Sequence, residues 1–149
     1  MSLDTEYEIT TDSARFDLTL IDEFLADSYW ARDIPRSVVE RSIQHSVAFG
    51  AFHQGYQVGF ARVITDFATF AYIGDLFVVP KHRRRGVAKL LMRAILSHPN
   101  LQGLRRLLLA TRDAHGLYAQ FGFKPLAHPA DFMTLHYPNV YQRDAHDSE

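Results

Sequence analysis

Residues 70–111 constrain the fold of this chain more than any other stretch. Phe70–Val79 reads FAYIGDLFVV, a β-rich run stopped by Pro80. From Gly86 to Ser97 the apolar residues Val87, Leu90, Leu91, Ala94 and Ile95 share one helical face, with Lys89, Arg93 and Ser97 opposite. Pro99 ends that helix, and Leu104–Thr111 (LRRLLLAT) is apolar enough to be a buried strand. Strand, helix and strand at this spacing predict a right-handed crossover between parallel strands, and therefore a sheet with a helix packed on it.

The flanking sequence extends that unit on both sides. Tyr7–Thr10 reads as a short first strand, Phe16 to about Ser28 as a helix carrying Leu18, Ile21 and Leu25, and Pro35 opens a second helix through Ser46. Val47–His53 and Val58–Thr65 read as a hairpin around Gln54-Gly55-Tyr56-Gln57. After the crossover come a helix at Ala114–Phe121 and two closing strands at Lys124–Leu126 and Phe132–His136. The order β-α-α-β-β-β-α-β-α-β-β predicts an α/β domain with a mixed sheet and helices on its faces. No repeat or linker divides it, so residues 1–141 form one expected domain and 142–149 a frayed tail.

Charge distribution says more than net charge. The chain of 149 residues carries 16 Lys+Arg and 17 Asp+Glu. Between Leu76 and Arg112, however, there are nine basic residues and no acidic one. A local positive field on a nearly neutral protein suits a compact polyanion better than a long nucleic-acid track, although a solvated basic face has the same composition. With no cysteine, thiolate metal sites, disulfides and cysteine nucleophiles are excluded. Histidine spacing offers no metal motif, and no metal is expected. No leader-like or membrane-spanning apolar run is present, so the expected location is cytoplasmic, with neither nucleic acid nor membrane as partner.

The junction Val78-Val79-Pro80-Lys81-His82-Arg83-Arg84-Arg85-Gly86-Val87-Ala88 concentrates this positive charge where a helix begins. The first helical turn leaves amide N–H groups unpaired at the positive end of the macrodipole, and Gly86 and Ala88 let an anion approach them. Three arginines at a helix N-terminus oppose the dipole unless an anion offsets them. Neither a Walker A loop nor a G-x-G-x-x-G turn is present.

Arg83-Arg84-Arg85-Gly86-Val87-Ala88, preceded by Leu76-Phe77-Val78-Val79-Pro80, resembles the acetyl-CoA motif [QR]-x-x-G-x-[GA] of the GNAT N-acetyltransferase superfamily. Leu117-Tyr118-Ala119-Gln120-Phe121-Gly122-Phe123 resembles its L-Y-x-x-x-G-F signature, one helix and one strand later. The resemblance covers residues 7 to 137. It implies a mixed, mostly antiparallel seven-stranded twisted sheet with about four helices on its two faces, and acetyl-CoA as co-substrate. It also implies that main-chain groups of Phe77, Val78 and Val79 line an opening for the pantetheine arm. Arg83, Arg84, Arg85, Gly86, Val87, Ala88 and Lys89 are then expected to hold the pyrophosphate.

The usual reaction of this family, direct acetyl transfer to an amine, needs oxyanion donors and a proton for the departing thiolate. Tyr118 matches the motif tyrosine near the sulfur, and the Val78 amide is the expected oxyanion donor. Asp75 is the first candidate for general base, with Asp66, Glu23 and His115 as water-relayed alternatives; some relatives carry glutamate where this chain has Tyr72 and Gly74. Asp113 is expected to cap the last helix, and Thr111 replaces a familial Asn. Tyr29 and Trp30, with Tyr72 below them, are the expected wall of an acceptor site for a small-molecule amine. Tyr29 and Trp30 plugging the helix–sheet core is the other reading. Acetylation of a peptide or protein amine, and a CoA-binding module without catalysis, are the alternative functions, and a homodimer is compatible with either.

Overall fold

The computed structural model describes residues 6–142. Its sheet has five strands among the described residues, β1 (Tyr7–Thr10), β2 (Val47–His53), β3 (Tyr56–Thr65), β4 (Phe70–Val78) and β5 (Arg106–Leu109), in sequential order. The first three pairings are antiparallel and β4–β5 is parallel. Four α-helices accompany them among the described residues: α1 (Leu18–Ala26), α2 (Arg36–Gln44), α3 (Val87–Ser97) and the short α4 (His115–Ala119).

Local chemistry accounts for the boundaries. Asp17 caps α1 by accepting the Leu20 amide at 3.0 Å, and Pro35 sits immediately before α2 with its N–H-free ring at the helix entrance. The β2–β3 hairpin turns on Gln54 (φ 51°) and Gly55 (φ 85°), both left-handed as a two-residue turn requires.

Both faces of the sheet are buried, which is why β2 and β3 read as nearly continuous apolar runs. Ile21 and Leu25 of α1 and Val39 of α2 pack on Phe52, Phe60 and Phe77. On the other face Val87, Leu91, Met92 and Ile95 of α3 pack on Phe49, Val63 and Ile73. Gly59 permits the close approach of α3: a Cβ there would lie 3.2 Å from Ala51 Cβ and 3.4 Å from Val87 Cγ1. The first turn of α3 is thereby held tight against the sheet.

The expectation of seven strands is corrected to five, because neither Lys124–Leu126 nor Phe132–His136 joins the sheet. Pro125 removes an amide from the middle of the first segment, and Pro129–Asp131 forms a 3-10 turn just before the second. Met133 and Leu135 consequently remain exposed. The last helix is also shorter than expected, spanning His115–Ala119 within the predicted Ala114–Phe121. Most of the expected tail, residues 143–149, lies outside the described residues.

Candidate active site

The site originates in a divergence of strands. Pairing of β4 with β5 runs from Phe70↔Arg106 to Ile73↔Leu109 and stops there. Beyond Ile73, β4 still pairs with β3 but has no strand on its other edge. Val79 donates to the Val58 carbonyl at 2.9 Å, which puts its neighbour Val78 in a non-hydrogen-bonded position of the ladder, with its N–H and C=O turned away from β3 toward the opening.

The bordering main chain is not uniformly available. Val79 has both groups engaged, its N–H with Val58 and its carbonyl with the His82 amide at 2.9 Å. The Val78 carbonyl accepts from Arg83 Nε at 2.9 Å, leaving the Val78 N–H. Phe77 points its ring into the opposite core, stacked on Phe24 with centroids 4.0 Å apart, and its position opposite Phe60 turns its main-chain groups toward β3 and away from the opening.

At the far end of β4 the chain turns into the basic loop and α3. Gly86 is the N-cap residue of α3 at φ 82°, no side chain caps the helix, and Arg84 is left-handed at φ 63°. The amides of Gly86, Val87, Ala88 and Lys89 have no acceptor within the described chain. A tether below the loop went unseen in the sequence: the Tyr7 hydroxyl lies 3.0 Å from His82 Nδ1 and accepts from Arg85 at 3.5 Å, and the His53 and His82 rings are 4.9 Å apart. Burial, then His53, Arg85 and Lys81, hold the His82 imidazole below its ordinary pKa and so favour the neutral ring. Sequence spacing could not link residues 75 positions apart.

Tyr29, Trp30, Tyr72, Asp75 and Tyr118 come together around one cleft, with Arg62, Thr111, Arg112 and Asp113 completing its polar lining. The pyrophosphate candidates 83–89 do not line it. Tyr118 is 9% exposed, and its hydroxyl makes no hydrogen bond within the described chain. Burial first, then Tyr29 and Asp113, raise the phenol above its ordinary pKa, so the hydroxyl keeps its proton at neutral pH. Tyr29 and Trp30 are 48% and 42% exposed, forming a wall in edge-to-face contact instead of a core plug.

Asp75 is engaged through both oxygens, Oδ1 accepting from Trp30 Nε1 and Oδ2 from Arg62 Nε, each at 2.9 Å. A β-bulge between Phe60 and Arg62, with Asp75 itself at φ 55°, brings the two charges onto one face. The other carboxylates named as relays lie elsewhere. Asp66 closes the β3–β4 turn, accepting from the amides of Ala68, Thr69 and Phe70, and Glu23 lines a groove beside α1 that shares Tyr29 and Trp30 with the cleft but does not include Asp75 or Tyr118. His115 lines a groove along β5 that shares Ala110, Thr111 and Tyr118 with the cleft.

The capping expectation for Asp113 is corrected. Thr111 Oγ1 accepts the Ala114 amide at 3.0 Å, α4 has no side-chain cap at its own N-cap residue, and Asp113 faces the cleft. Arg112, which sequence reasoning passed over, lies with its guanidinium carbon 3.9 Å from the Tyr29 ring centroid. No group of three or more metal-ligating side chains occurs among the described residues, and no helix there is long and apolar enough to cross a membrane.

Residues 14–123 match the model of the acetyltransferase (GNAT) family. A candidate acetyltransferase of Gibberella zeae is 27% identical over 139 residues, covering 77% of this chain and 77% of its own length. A crystal structure of a candidate GNAT-family acetyltransferase from Xanthomonas campestris pv. campestris is 53% identical, with a TM-score of 0.88 over 91% of this chain and 96% of that one. The fold is also similar to that of a candidate acetyltransferase from Clostridium acetobutylicum crystallised with acetyl-CoA, at a TM-score of 0.62 and 12% identity over 87% of this chain and 94% of that one.

Proposed function

This chain belongs to the acetyltransferase (GNAT) family, and from that premise we propose that it moves an acetyl group from acetyl-CoA directly to the amine of a small molecule. The observation that carries the reading is the opening between β4 and β5, with the uncapped, arginine-flanked start of α3 beyond one end and the Tyr118 hydroxyl inside. The start of α3 fits a pyrophosphate: its open amides point the helix dipole outward, Gly86 adds no side chain, and Arg83–Arg85 supply charge.

Acetyl-CoA supplies an activated thioester. An ammonium acceptor reacting with it yields an amide, free CoA thiol and one released proton. The chain's own groups divide that work. The Val78 N–H, free and aimed at the opening, donates to the carbonyl oxygen as negative charge develops there. Tyr118, kept protonated by burial, gives its proton to the departing sulfur and recovers one from solvent. Asp75 acts as a positioning residue, fixing Trp30 and with it the acceptor wall, while water in the open cleft takes the ammonium proton.

Calorimetric titration with acetyl-CoA, followed by a panel of small amines assayed for CoA release, tests this reading. Binding together with amine-dependent release is expected. Absence of binding overturns acetyl-CoA use, and binding without release by any amine or peptide leaves only the CoA-binding module.

A further inference from the structure

We propose that the acceptor is a zwitterion, an amine with a carboxylate on the adjacent carbon, whose ammonium is received by Asp113 and whose carboxylate is received by Arg112. This rests on the acetyl-transfer reading above and narrows it to α-amino acids and their close analogues.

Charge accounting in the cleft carries the inference. Four charged side chains line it: Arg62, Asp75, Arg112 and Asp113. Arg62 and Asp75 neutralise each other at 2.9 Å with side chains only 19% and 12% exposed. Outside this set, Asp27 of the loop after α1 pairs with Arg32 at 3.3 Å and Asp66 accepts from turn amides, and neither lines the cleft. One cation and one anion are left. Arg112 forms no ion pair with any described carboxylate, and its contact is the face of Tyr29. Asp113 accepts no hydrogen bond from any described residue, because Thr111 has taken the capping position at the start of α4.

These two charges are adjacent in sequence but directed differently. Arg112 reaches across the cleft to Tyr29, on the loop after α1. Asp113 lines the same cleft as Tyr118, and its charge opposes ionisation of that phenol. An ammonium held by Asp113 therefore shares the cleft with the hydroxyl assigned to the leaving sulfur, and a carboxylate under Arg112 lies against the Tyr29–Trp30 wall. An uncharged amine tail would leave Arg112 without a counter-ion, and a second ammonium would be repelled by it. Arginine suits the role because its planar fork can stack on tyrosine and bind a carboxylate with two N–H groups.

Matched pairs of acceptors test the proposal: phenylalanine against phenethylamine, leucine against isopentylamine and lysine against cadaverine, each assayed by CoA release at saturating acetyl-CoA. The carboxylate-bearing member of each pair is expected to have the higher kcat/KM by about tenfold or more. Arg112→Gln should collapse that ratio toward one, Arg112→Lys should restore part of it, and Asp113→Asn should slow both members of each pair. Calorimetry with acetyl-CoA on every variant verifies that the cradle is intact. Equal or faster turnover of the decarboxylated amines, a preference that survives Arg112→Gln, or acetyl-CoA binding with no amino acid acetylated would each overturn the zwitterion. Failure to bind acetyl-CoA at all would overturn the acetyl-transfer reading on which it rests, and the zwitterion with it.

Discussion

Trp30 donates its indole N–H to Asp75 at 2.9 Å, joining the loop after α1 to the bulge in β4 across 45 positions of sequence. The same carboxylate accepts from Arg62 on β3. One side chain thus holds together two strands and the wall of the cleft. This is possible because Asp75 is left-handed, which rotates it out of the strand alternation that would otherwise carry it to another face.

Asp75→Ala should destabilise the protein by about 1–3 kcal/mol, since Arg62 would then be left largely buried without its counter-ion. Thermal unfolding measures the loss, and Trp30 emission should shift as the indole is released. Unchanged stability and emission would mean that the triad is idle.

Gly86→Glu should weaken acetyl-CoA binding by about a hundredfold or more, because a carboxylate would stand among the open amides at the start of α3. The left-handed backbone at Gly86 adds a cost of about 1 kcal/mol to any L residue, so circular dichroism must accompany the calorimetry. A folded variant with unaltered affinity would place the anion elsewhere.

Tyr118→Phe should reduce kcat by about a hundredfold or more and change the KM for acetyl-CoA little, as expected for a proton given up in the transition state. Because burial raises this phenol above its usual value of about 10, its ionisation should cause no alkaline fall in wild-type kcat below about pH 10. An alkaline limb near pH 8 that disappears in Tyr118→Phe would contradict this.

Asp66 is held well below the usual carboxylate range by the Thr69 hydroxyl and by the amides of Thr69, Ala68 and Phe70. Its folded pKa is depressed, so its contribution to stability is present above the unfolded value of about 3.9 and is lost as pH falls from there toward the folded value. Asp66→Asn should therefore unfold more readily than wild type at pH 7, with the difference shrinking below about pH 4. A difference independent of pH would show that the turn does not depend on the charge.

Local sequence decided much of the framework. Periodicity and proline placement located β1, β2, β4, α3 and the hairpin turn within a residue or two, because each follows from interactions between near neighbours. The basic loop before Gly86 was equally legible, since an uncapped helix start depends only on the residues that form it. The closing strands were not: Phe132–His136 has a strand composition, yet a strand exists only with a partner, and the prolines at 125 and 129 deny the chain that pairing.

Tertiary structure alone decided which charges in the cleft remain free. Asp75 was visible as a carboxylate on a strand, but its engagement by Trp30 and Arg62 depends on a bulge and a loop far away in sequence. The sequence offered Asp113 as a helix cap and gave Arg112 no role of its own; the fold puts Thr111 in the capping position and Tyr29 beneath the Arg112 guanidinium. Residue types at short spacing determine which elements form and where an anion can approach a helix. Pairing between distant side chains is set by how those elements pack, and that packing leaves Tyr118, Arg112 and Asp113 facing the cleft.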